Sequence, residues 1–168
     1  TFPQYLIFKP GMVITSILLC FYWHKNNLLI NHFKVSRFKK NTFMIFGILS
    51  AFFLLIHSIL LGLETDIKIF KFLRRIVLLN FIIFEIIAQS LLVLNFYRLK
   101  SKLKYYFNSN ILILKIVLVF LLLFVAAISI PLLIVGGNVH FKHGLEWNYF
   151  IGVIFFYLLT NFFWKKKK

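Results

Sequence analysis

Five long apolar runs separated by short polar stretches set the pattern of this chain. They extend from Tyr5 to Trp23, Phe43 to Leu63, Ile76 to Tyr97, Ile111 to Val135 and Trp147 to Trp164. A helix rising about 1.5 Å per residue needs roughly 17–25 residues to cross a bilayer, and each run approaches or exceeds that length. In lipid the backbone must satisfy its own hydrogen bonds, so each run is read as a helix. Lys9, Pro10 and Gly11 interrupt the first run near its start. Pro131 falls near the far end of the fourth, and Gly136-Gly137 reads as its stop. Short loops predict antiparallel neighbours. The expected fold is all-α: a polytopic transmembrane helical bundle of five spans forming a single integral membrane domain over residues 1–168.

Composition agrees with that pattern and removes the alternatives. Apolar residues make up 61% and charged residues 14%, against about 45–50% and 25% in an ordinary soluble domain. A soluble chain of this size has too little interior to hide so much apolar side chain. The net charge of +16 would suit a nucleic-acid binder if the cations lined one soluble face. Here they lie in short clusters between apolar runs, with no domain outside the spans to carry such a face, so no nucleic-acid partner is expected. Abundant Lys, Asn, Ile and Phe also fit AT-rich coding, which explains part of the 23 Phe. The lone Cys20 permits no intrachain disulfide and reads as a small apolar side chain. The first run lacks the basic start and small-residue cleavage site of a removable signal.

The cations also orient the chain. Thirteen lie on one side: Lys25, Lys34, Arg37, Lys39 and Lys40; Arg98, Lys100, Lys102 and Lys104; and Lys165 to Lys168. Six lie on the other: Lys9, Lys68, Lys71, Arg74, Arg75 and Lys142. Lys115 falls within the fourth span and is expected to snorkel inward. The positive-inside rule then places the N-terminus outside or luminal and the C-terminus in the cytoplasm. Trp23, Trp147, Trp164, Tyr5 and Tyr97 sit at run ends, as an interfacial aromatic belt would place them. The terminal lysines read as an inner-side anchor that can also meet anionic lipid.

Polar groups inside spans are costly, so they mark candidate sites. His57 lies six residues from the outer end of the second run, about 9 Å deep, and Glu85 nine residues into the third, about 13 Å deep. Asn80 is shallower and Gln89 one turn deeper. Matching depths on consecutive antiparallel helices predict a His57–Glu85 pair, serving either proton handling or headgroup binding, or simply an interhelical hydrogen bond. A second group, His140, His143, Glu146 and Trp147, lies on the outer side. Its spacing differs from a zincin helix and Lys142 interrupts it, so a helix cap or interface hydrogen bond is expected, not a metal site. Glu146 is expected near the start of the fifth helix, with Trp147 at headgroup depth. No glycine-rich phosphate loop, nucleophile elbow or paired carboxylates occur, so no cofactor is expected.

Two stretches of the last span, His143-Gly144-Leu145-Glu146-Trp147 and Phe155-Phe156-Tyr157-Leu158-Leu159-Thr160, resemble the final span of the DRAM/Frag/Sfk group, the damage-regulated autophagy modulator-like membrane proteins. Phe81 with Gln89-Ser90 is similar to that family's fourth span. The resemblance is strongest in the last quarter. It implies six spans with both termini cytoplasmic, so the expected sixth helix would precede Thr1, in keeping with an N-terminus outside. The chain departs from the family at Phe163-Trp164-Lys165, where an acidic residue is usual. The resemblance implies a regulatory or lipid-homeostasis role and transfers no catalytic residues.

The sequence therefore reads as a small multi-pass membrane protein of regulatory or lipid-homeostasis type, non-enzymatic, whose partners are membrane lipids and another membrane protein. The rival readings are a membrane-embedded lipid-modifying enzyme, and a small transporter or subunit of a larger membrane complex. A groove at Ala126, Ala127 and Ser129 would mark a partner-helix interface.

Overall fold

The computed structural model of the chain describes residues 5–32, 41–60, 68–103, 105–134 and 139–165. The fold is all-α. The helices are α1 (Tyr5–His32), α2 (Thr42–Leu60), α3 (Lys68–Arg98), the single turn α4 (Lys100–Leu103), α5 (Ser109–Ile134) and α6 (Val139–Phe163). Among the described residues, four helices have stretches long and apolar enough to cross a membrane: Leu6–His32, Thr42–Leu60, Phe72–Arg98 and Ser109–Ile128. In α6 the apolar stretch Asn148–Phe163 is shorter. Large apolar side chains such as Phe21, Phe52, Phe72, Phe120 and Phe162 point outward. Lipid tolerates that outward face, whereas a soluble fold would have to cover it.

Helix ends depart from the apolar runs in three places. α1 continues nine residues past Trp23, through His24, Lys25, Asn26 and Asn27. Asn26 helps by donating from Nδ2 to the Tyr22 carbonyl at 2.8 Å. α3 begins at Lys68, ahead of the run starting at Ile76, and α6 begins at Val139, ahead of Trp147. Hydropathy marks where lipid begins, while hydrogen bonding sets where a helix ends. Glu146 is consequently the eighth residue of α6 rather than a residue at its start, and the backbone N–H groups around it belong to the helix ladder. The expected cap is corrected accordingly.

Two compact units make up the chain, residues 1–91 and 92–168. In the first, α1 and α2 pack together. The buried side of α2 carries Phe43, Gly47, Ser50, Ala51, Leu54, His57 and Ser58, a stripe at helical spacing. Gly47 is the seat for Trp23: a Cβ at this position would overlap the indole. Trp23 is fully enclosed and also packs on Phe43, with ring centroids 6.3 Å apart. Its expected place in the interfacial belt is therefore corrected, because α1 runs on beyond it and glycine opens room for the ring. Phe84 of α3 stacks between Phe46 and Phe53 of α2, at 5.8 and 5.4 Å.

In the second unit α5 and α6 pair closely, and a Cβ on Gly152 would come within 2.6 Å of Leu122. Their shared end is closed by an antiparallel bridge between Phe107 and Trp164. The Asn108 N–H donates to the Phe163 carbonyl at 2.9 Å, and the Lys165 N–H to the Tyr106 carbonyl at 3.0 Å. Phe107 stacks on Phe163 at 5.0 Å, and Phe96 packs against Phe163 at 4.9 Å. Trp164, half-buried, thus closes this end of the unit.

Candidate functional site: buried polar groups within the spans

Among its described residues the first unit encloses one carboxylate. Glu85 lies on the buried stripe of α3 with Phe81, Ala88, Gln89 and Leu92, and its exposure is 0%. From α2, Ser50, equally enclosed, meets Glu85 Oε2 at 2.6 Å. Gln89, one turn along α3, donates from Nε2 to Glu85 Oε1 at 2.9 Å. The Ser50 hydroxyl also lies 2.8 Å from the Gly47 carbonyl. It has a single proton to share between these two acceptors. Both carboxyl oxygens are thus held inside the helix pair, and the Ser50 bond ties α2 to α3. Gln89 Oε1 is buried with no hydrogen-bond partner among the described residues. Asn80, half-buried, lies five residues before Glu85, well around the helix from its stripe.

His57 is brought elsewhere. Ser50 and His57 are seven residues apart on α2, about 10 Å of rise. His57 therefore lies two turns from the level of Glu85, and the predicted pair is replaced by a Ser50–Glu85 pair. Hydropathy places the apolar edge of the third run at Ile76, but α3 begins at Lys68, and hydropathy gives no helix rotation. The imidazole lies instead against Arg74, with that residue's backbone in hydrogen-bonding range and its guanidinium in electrostatic range. Its Nδ1 has no hydrogen-bond partner among the described residues.

The second unit encloses an ammonium. Lys115 is 1% exposed. Its Nζ donates to Thr160 Oγ1 at 2.7 Å and lies over the rings of Phe156 and Phe163, 4.3 and 5.3 Å from their centroids. The Nζ is held against α6 and buried, so the expected snorkelling to the interface is corrected. Two aromatic faces and a hydroxyl supply the electron density that water would otherwise provide. Glu146 is the only acidic residue in this unit, and it precedes Thr160 by fourteen residues, about 21 Å of helix.

His140, His143, Glu146 and Trp147 all fall in the first turns of α6, but their side chains, and so the expected placement of Trp147, lie outside the described residues. The side chain of Ser129 lies outside them too, as do Gly136 and Gly137, while Ala126 is half-buried and Ala127 exposed. Sequence reasoning did not single out Ser50 or the Lys115–Thr160 pair. Their signal was present: Ser50 lies on the apolar stripe of α2, and Lys115 and Thr160 each lie a few residues from the same closed end. No protein-family model, curated protein or solved structure matches the chain.

Proposed function

We propose that this chain is a non-enzymatic multi-pass membrane protein of regulatory or lipid-homeostasis type. In that role its buried polar residues hold helices in register and its outward faces meet lipid and a membrane-protein partner. One observation carries the reading: the carboxylate within the spans is wholly enclosed and bonded through both oxygens to Ser50 and Gln89. A general acid or base must reach its substrate within hydrogen-bond distance, and a group committed in this way is poorly placed to do so. Lys115 is committed similarly to Thr160 and two rings. The likeness of the last span to damage-regulated autophagy modulator-like proteins supports the same class of role.

The test is to incubate purified protein with bilayer lipids and follow their masses, beside folded yield, for wild type and Glu85→Gln. Glutamine keeps acceptor and donor capacity at this position. Unchanged lipids in both cases, with near-normal yield of the variant, are expected. A covalent change of lipid made by wild type and lost in Glu85→Gln would establish the lipid-modifying enzyme instead.

A further inference from the structure

The end of the first unit where α2 finishes and α3 begins gathers groups that the Glu85 tie does not use. His57 is three residues from the end of α2 and only 7% exposed. Its imidazole is turned toward Arg74, and its Nδ1 is enclosed with no hydrogen-bond partner among the described residues. An enclosed ring nitrogen left unbonded is costly, so such a group implies a partner from elsewhere. Arg74 and the adjacent Arg75 are both exposed. Lys68 and Lys71 precede them in the first turns of the same helix.

Charge sharpens the picture. The stretch from Glu64 to Arg75 holds four cations and two carboxylates, Glu64 and Asp66. Even if both acids, which lie outside the described residues, pair internally, two cations remain. These four are also the cations that most weaken the charge asymmetry of the topology, since they lie on the side where few are expected. The apolar run of α3 starts at Ile76, and Arg74 and Arg75 fall in the first turn of its span-competent stretch, Phe72–Arg98, where guanidinium groups can reach the headgroups.

We infer that His57, Arg74 and Arg75 form a binding site for a phosphate-bearing lipid headgroup of the monoester class. Guanidinium groups match phosphate oxygens two at a time. A phosphate monoester offers three free oxygens and, when singly ionised, also a P–OH proton. The oxygens suit the arginines, and the proton suits an imidazole nitrogen that needs a donor. A diester offers two free oxygens and no such proton. The choice of a lipid as ligand rests on the lipid-associated reading proposed above; the geometry of the site does not.

The experiment uses the full chain in phosphatidylcholine nanodiscs doped with phosphatidic acid, with retained lipid counted by native mass spectrometry. Wild type is expected to enrich phosphatidic acid over phosphatidylglycerol, a diester of like charge. Arg74→Gln and Arg75→Gln should each lower retention about fivefold, and Arg74→Lys should restore part of it. His57→Asn should narrow the preference for monoester over diester. Thermal unfolding of each variant accompanies the counts, and Arg75→Gln, at an exposed position, keeps the test open if His57→Asn fails to fold. Equal retention by folded Arg74→Gln and Arg75→Gln overturns the inference. So does enrichment that appears only after Glu64→Gln and Asp66→Asn, because those carboxylates would then fill the site. Displacement of the lipid by inorganic phosphate at equal concentration would assign the site to a soluble anion and overturn the lipid. Retained phosphatidic acid that returns dephosphorylated would support the site while contradicting the non-enzymatic role.

Discussion

Lys115 and Thr160 show how a single side chain is made tolerable inside a span. Removal from water works against an ammonium unless something nearby replaces hydration, and here one hydroxyl and two ring faces surround the Nζ. The two partners are therefore unequal in what their loss costs. Thr160→Val strips the ammonium of its hydrogen-bond acceptor and should destabilise the protein by about 1.5–3 kcal/mol, the usual worth of a bond to a charged group. Lys115→Met keeps much of the shape and removes the charge, while the Thr160 hydroxyl stays 3.3 Å from the Phe156 carbonyl; its cost should stay below about 1.5 kcal/mol. Thermal unfolding in a mild detergent measures both, and a larger loss for Lys115→Met would contradict the caged-ammonium description. At this scale the sequence was partly legible. Glu85, His57 and Lys115 stand out as polar letters in apolar runs, because burial of such groups is rare enough to be a signal. Their partners do not stand out, because Ser50 and Thr160 are common in apolar helices and hydropathy carries no rotation.

Between helices, packing depends on small residues placed under large ones. Gly47 lets α1 lay the Trp23 indole directly on the α2 backbone. Gly47→Ala forces the indole or the helix to move and should cost about 1–3 kcal/mol. Combining it with Trp23→Leu should recover part of that loss, since the clash disappears with the ring. Equilibrium unfolding of the two single variants and the double variant checks this; a Gly47→Ala protein as stable as wild type would show that the close approach is not formed. The existence and order of the helices were legible from length and apolar content. Their ends were not: α1 absorbs Lys25 and three asparagines, and α3 takes up eight residues before its apolar run. The bridge that joins Phe107 to Trp164 was equally hidden, since two residues of extended pairing between helices leave no periodic trace.

For the molecule as a whole, the apolar outward faces are those of a membrane protein, and the asymmetry of thirteen cations against six predicts which end faces the cytoplasm. In a cysteine-free background, a cysteine at position 103 should label from the cytoplasm and one at position 139 from the outside. Reversed labelling would overturn the orientation and place the His57–Arg74 end on the inner side. The central claim is that polar residues within the spans tie helices together rather than perform chemistry, and the Ser50–Glu85 contact between α2 and α3 is its sharpest instance. A double-mutant cycle of Ser50→Ala and Glu85→Leu, read as the unfolding free energy of the protein in lipid, tests it most directly. The account predicts a coupling of about 0.6–1.7 kcal/mol, the range found for hydrogen bonds between membrane helices. Additive losses, within about 0.3 kcal/mol, would mean that the two side chains do not hold the helices together, and would contradict it.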